Sequence, residues 1–226
     1  MGREFSISKL ISRAKDRADM EDSGFITDSK WRSYLSSGYA ELYSILVSSG
    51  ARYFEETHEI SADGSLEYDL PGDHLSTVGV DRVDSQERHS LTEAMAQERK
   101  RLNREGGEAT HYAIVGDKIQ LQPAPRSGDY ELIYVPHPTD LSDANDSDEV
   151  DVVTPDGEQF LVWYAAVIAL AKEESDARLA IRERERARER LEEWATLRAL
   201  HAPRRRVVED SPPFFEGDYR GGSWPW

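Results

Sequence analysis

The chain has 226 residues, with 28 Lys and Arg against 44 Asp and Glu, a formal net charge of −16. It contains no cysteine, which excludes a disulfide framework, a thiolate metal site and a cysteine nucleophile together. The length allows a substantial core, and the acidity argues against a protein whose main task is gripping nucleic-acid phosphates, because such binding is built on Lys and Arg.

Residues 1–20 mix Arg3, Lys9, Arg13, Lys15 and Arg17 with acids and hold no apolar run, so no signal peptide is expected there. Phe5, Leu10, Ile11, Ala14 and Ala18 have loose helical spacing, and Gly24 is expected to end that segment. Thr27 or Asp28 then caps a stronger helix, in which Trp31, Leu35, Tyr39, Leu42 and Leu46 recur every three or four residues until Ser48-Ser49-Gly50. The pattern next changes to period two. Ile60, an Asp63-Gly64 turn, then Leu66, Tyr68 and Leu70 read as a hairpin, followed by a strand through Val78 and Val80. Residues Leu91 to Asn103 read as a short polar helix ended by Gly106-Gly107. Strands resume at Tyr112 and Ile114, turn at Gly116-Asp117, and continue through Ile119, Leu121, Tyr130, Leu132 and Tyr134.

From Asp140 to Glu158 there are eight acids and no Lys or Arg, the composition of a solvated linker. A helix is expected from about Gly157 through FLVWYAAVIALA, Phe160 to Ala171, too short for the roughly 20 residues of a membrane span. A second helix follows to about Leu200, where Ala187, Leu191, Trp194 and Arg198 share one narrow face and RERERARER, Arg182 to Arg190, is otherwise charged. The end is rich in Pro and Gly and carries Phe214, Phe215, Tyr219, Trp224 and Trp226. Residues 1–52 and 159–201 are thus expected to form one helical domain, 53–138 an inserted β domain, 139–158 an acidic linker and 202–226 an extended aromatic arm. The expected class is α+β: a helical bundle from N- and C-terminal helices, an inserted antiparallel β-sandwich or barrel, and a C-terminal arm.

Catalytic and metal-binding patterns are sparse. His58, His74, His89, His111, His137 and His201 show no ligand spacing, and there is no phosphate loop, dinucleotide fingerprint or nucleophile elbow. Acid pairs such as Glu55-Glu56 and Glu173-Glu174 are expected by chance among 44 acids. Asp143, Asn145, Asp146, Asp148 and Glu149 offer oxygens, yet Asp148 stands where a calcium loop counted from Asp143 requires glycine. The expectation is no enzyme, no metal and no cofactor.

Two features ask for more. An apolar block covering every side of a helix needs enclosure all round, from its own core or from another subunit. Five aromatics on a segment without periodicity are natural anchors for a partner's pockets. Phe160, Trp163, Tyr164, Arg182, Glu185, Arg186 and Glu189 are therefore candidate contacts between subunits. Like charges four apart on the last helix, Arg182 with Arg186 and Glu185 with Glu189, leave it little stabilised in isolation.

The stretches HYAIVGDKIQLQPAPRSGDYELIYVPHPTDLSD and GEQFLVWYAAVIALAKEESD, with the order of helices, β insertion, helices and arm, resemble the head-to-tail adaptor proteins of tailed bacteriophages, also called head-completion or tail tubular A-like proteins. The likeness runs from Trp31 onward. It implies a structural virion protein made in the host bacterial cytoplasm and placed at the neck. There it would form a ring, commonly of twelve subunits, beneath the portal, joining capsid to tail and surrounding a channel for DNA. Portal protein, the next tail or nozzle protein and further copies of the chain are the implied partners. Genome DNA would pass without specific binding, and no membrane is involved. Arg204, Arg205, Arg206, Phe214, Phe215, Tyr219, Trp224 and Trp226 would be the portal-binding arm. The readings weighed against this one are a cell-wall hydrolase carried on a phage tail and a nucleic-acid-binding packaging factor.

Overall fold

The structure, a computed structural model, describes residues 4–21, 24–84, 87–95 and 107–201. Four helices are found among these: α1 (Ile7–Ala18), α2 (Asp28–Ser48), α3 (Pro155–Lys172) and α4 (Arg178–His201). Ten strands accompany them: β1 (Glu4–Ser6), β2 (Glu56–Ala62), β3 (Glu67–Asp69), β4 (His74–Val83), β5 (Arg88–Ser90), β6 (Thr92–Glu93), β7 (His111–Val115), β8 (Lys118–Gln122), β9 (Gly128–Pro136) and β10 (Glu149–Asp151). The class is α+β.

The helices follow from their apolar spacing. In α1, Ile7, Leu10, Ile11, Ala14 and Ala18 face inward, and the helix ends at Asp19 in a left-handed turn, well before Gly24. In α2 the buried row is Trp31, Leu35, Tyr39, Leu42 and Leu46, with Gly38 beneath Tyr164. Helix α3 starts at Pro155, where proline's missing N–H costs nothing, and Thr154 Oγ1 accepts from Gly157 N at 3.0 Å. It packs against α1, α2 and α4. The entry is tight: a Cβ on Gly157 would lie 2.1 Å from the Val152 carbonyl oxygen.

Two four-stranded sheets run in the orders β2-β9-β4-β5 and β3-β8-β7-β6. Ile60, Val80, Tyr130, Leu132 and Tyr134 of the first meet Tyr112, Ile119 and Leu121 of the second in one buried cluster. The helices share a separate core with β1 and β10. Neither sheet closes on itself among the described residues, so no barrel is formed.

Several expectations are corrected. The Asp63-Gly64 turn does not close a hairpin: β2 pairs with β9 and β3 with β8, so the turn carries the chain from one sheet to the other. Asp63 Oδ1 accepts from Ser65 N, and Gly64 takes a φ of +98°. The expected helix from Leu91 begins instead as β6, which lies parallel to β7, the one parallel pairing described and a departure from an all-antiparallel insertion. The rest of that expected helix, residues 96–103, lies outside the described residues. The acidic segment is not wholly a linker: β10 pairs with β1, and Val150, Val152 and Val153 are buried. The C-terminal arm, residues 202–226, lies outside the described residues.

Candidate functional site

The sequence placed its candidate contacts on the two C-terminal helices, and the structure divides them. Phe160 is wholly buried in the core of its own chain at 0% exposure, which leaves it no surface to offer a neighbour and removes it from the candidate contacts. Its helix is enclosed mainly from within: Leu161, Val162, Ala165, Ala166 and Ala169 are buried too, because alanines let α1, α2 and α4 approach closely. Trp163 and Tyr164 are half-buried. Arg17 lies over the Trp163 ring at 5.3 Å and Arg184 over the Tyr164 ring at 5.9 Å. Burial raises the Tyr164 phenol above its ordinary value.

Helix α4 sits on the surface. Its narrow inner face is the one read from spacing: Ala187, Leu191 and Ala195 are buried, Trp194 packs against the core, and Arg198 lies over Tyr53 and Trp194 while Nε donates to the Ala51 carbonyl at 3.0 Å. The flanking charges are tied down. Arg184 bonds Glu185, Arg188 bonds Glu192 and reaches Glu41 on α2, and Arg190 bonds Asp156 at the start of α3. Of the remaining candidates, Arg186 pairs with Glu183 one turn back at 2.6 Å, while Arg182 and Glu189 point outward with no partner among the described residues. So Arg182, Arg186 and Glu189 share an outward flank of α4, with Glu185 partly buried at its edge.

That flank carries members the sequence reading missed. Leu179, Leu197 and Leu200 are 62%, 59% and 62% exposed, and Glu193 is exposed between them. Steps of three and four from Arg182 would have found all of these. Between α2 and α4 runs an open groove of about 390 Å³ lined by Glu41, Ser44, Ile45, Ser48, Ser49, Arg188, Glu192 and Thr196. Apart from Ile45 its lining is polar, and Arg188 spans it between Glu41 and Glu192.

The acidic segment is built into the fold by protein donors. Ser36 Oγ and Ser142 N donate to Asp140, Arg32 pairs with Asp146, Asn145 N donates to Asp148, Tyr53 OH donates to Asp151, and Arg13 pairs with Glu158. The donors to Asp140 hold its carboxyl below the usual range. Glu158, only 2% exposed, joins α1 to α3 through that pair. No group of three metal-type side chains occurs among the described residues.

The arm candidates Arg204, Arg205, Arg206, Phe214, Phe215, Tyr219, Trp224 and Trp226 lie outside the described residues. The family described as SU10 adaptor protein matches residues 6–208 of the chain. No curated protein matches it.

Proposed function

The chain belongs to the SU10 adaptor protein family, a family of phage head-to-tail adaptors that are structural, non-enzymatic components of the virion neck, and from that premise we propose that it forms a ring beneath the portal, joins capsid to tail and surrounds part of the DNA path. The observation that carries this is the family match over residues 6–208. Twelve copies is the stoichiometry to test first.

In this reading residues 1–52 and 159–201 act as the helical domain and 53–138 as the β domain. Support for the division comes from the two separate buried clusters, one holding α1 to α4 and the other the facing strands. Neighbouring subunits meet along α3 and α4 through Trp163, Tyr164, Arg182, Glu185, Arg186 and Glu189. The arm reaches the portal, with Phe214, Phe215, Tyr219, Trp224 and Trp226 filling apolar pockets and Arg204, Arg205 and Arg206 meeting acidic portal surface. A wall carrying −16 per copy repels DNA instead of gripping it, which suits a conduit.

The test is co-sedimentation of the full chain with purified portal, beside a chain ending at residue 211. The full chain is expected to co-sediment as a multimer and the shortened one to stay behind while keeping its helical circular dichroism. A full chain that remains monomeric and ignores portal overturns the reading; a shortened chain that docks equally well overturns the anchor role alone.

A further inference from the structure

The outward flank of α4 has an order that its inner face does not explain. At about 100° per residue, Leu179, Arg182, Arg186, Glu189, Glu193, Leu197 and Leu200 fall within an arc of about 80°, on the side turned away from Ala187 and Leu191. Along the axis the stripe runs apolar, basic, basic, acidic, acidic, apolar, apolar over about 32 Å. Reversed end for end, it complements itself. When two such helices lie antiparallel, centred between Ala187 and Arg188, Arg182 faces Glu193 and Arg186 faces Glu189, each twice, with Leu179 against Leu197 and Leu200 at both ends.

Its charges are also the ones left over. Arg178, Arg184, Arg188, Arg190 and Arg198 all bond within the chain off the stripe, whereas Arg182, Glu189 and Glu193 have no partner among the described residues. Arg186 bonds only Glu183 on its own helix and stays 57% exposed. An open depression of about 570 Å³ lined by Glu189, Glu192, Glu193, Thr196 and Leu197 lies on the acidic half, where a partner's arginines would enter.

We propose that two copies of the unassembled chain pair through this stripe, α4 against α4, about a two-fold axis. A closed ring joins different surfaces of successive subunits, while a two-fold contact uses one surface twice and needs self-complementarity, which the stripe has. Since Arg182, Arg186 and Glu189 are also proposed ring contacts, the pair belongs to the chain before ring entry; it rests on the ring reading in that respect only. A single helix stripe buries less than the roughly 1,000 Å² of a durable interface, so the pairing is weak and dissociates on dilution. Its ion pairs make it weaker in high salt.

Sedimentation equilibrium of the full chain without portal, from low to high micromolar concentration, reads this directly. The expected mass rises from 25.7 kDa towards twice that value. R182E/R186E and E189R/E193R should each stay monomeric alone, dimerise when mixed, and the fourfold swap R182E/R186E/E189R/E193R should regain the homodimer. Circular dichroism on each variant confirms that it is folded. A wild-type chain monomeric at every concentration, a dimer indifferent to the reversals, or reversed variants that ignore each other when mixed overturns the proposal. So does a reversal that alters portal binding but never the mass of the chain alone. Because portal is absent, failure here leaves the ring reading standing, and a ring that fails to form on portal leaves the pair standing.

Discussion

Gly157 and Gly38 show how one missing Cβ can matter for different reasons. At Gly157 the added carbon would meet the Val152 carbonyl oxygen, which already accepts from Thr154 N at 2.6 Å and belongs to backbone that cannot pivot. At Gly38 the neighbour is the Tyr164 ring at 3.0 Å, a side chain that can turn. Gly157→Ala should therefore destabilise by about 3 kcal/mol, the upper end of overpacking costs. Gly38→Ala should stay within about 1 kcal/mol of the native chain, since helix propensity offsets part of the crowding. Urea unfolding of both variants checks the ranking. His74 supplies a pH signature. Its Nε2 lies 2.9 Å from Thr77 Oγ1, its ring stacks on Tyr134, and Asp73 and His137 are its charged neighbours. Burial, and to a smaller degree His137, lower its value below the ordinary 6.5, while Asp73 opposes them. The folded state thus favours the neutral ring, so this contribution is present above pH 6.5 and is lost as the pH falls through the ordinary value towards the folded one. The urea midpoint should drop between about pH 7.5 and about pH 5.5, and His74→Phe, which keeps a ring on Tyr134, should flatten that slope. An unchanged slope in the variant assigns the pH dependence elsewhere. Asp176, held at about 2 by Arg178, acts only in far more acidic solution.

Helix α4 carries the contrast between inner and outer faces at the scale of an element. Leu191 is wholly buried, so Leu191→Ala should cost about 2–5 kcal/mol. Leu197, about a third of a turn round, is mostly exposed, and Leu197→Ala should leave stability within about 0.5 kcal/mol when measured dilute. Equal losses would mean that α4 is seated differently. This helix was legible because Ala187, Leu191, Trp194 and Arg198 repeat at helical spacing, as do Trp31 to Leu46 in α2. Spacing reports which residues turn inward but not what covers them. The all-apolar Phe160 to Ala171 block asks for cover all round, from its own core or from another subunit, and the small Ala165, Ala166 and Ala169 allow its own chain to supply most of it. Strand partners were illegible for a related reason. Alternation around Asp63-Gly64 marks two strands and a turn, yet the pairing of β2 with β9 is decided by residues about seventy positions away. Likewise β10 looked like solvated linker because its partner β1 lies at the other end of the chain. The outward stripe was half legible, since Arg182, Arg186 and Glu189 were read as charge, and its leucines pass unnoticed until exposure marks them.

Across the whole molecule the negative charge is not evenly spread. Residues 159–201 hold eight basic and eight acidic side chains, and residues 1–52 eight and seven, whereas residues 53–138 hold eight against seventeen and residues 139–158 none against eight. The excess thus belongs to the β region and the segment after it, and the helical layer is near neutral. Several of the helical layer's cations are already matched: Arg13, Lys15, Arg32, Arg52, Arg184, Arg188 and Arg190 pair with carboxylates. Phosphate binding draws its free energy from released counterions, one for each cation delivered to the backbone, and a surface with matched or negative charge has few to deliver. The full chain mixed with short duplex DNA at low ionic strength, where such attraction is strongest, should therefore leave the DNA's mobility unchanged. Retention at micromolar protein that disappears with added salt would place the arginines of α4 or of residues 204–206 on DNA and favour a packaging factor over a conduit wall. Unchanged mobility together with co-sedimentation on portal separates the adaptor from that alternative, because only the adaptor needs protein partners and no grip on the genome.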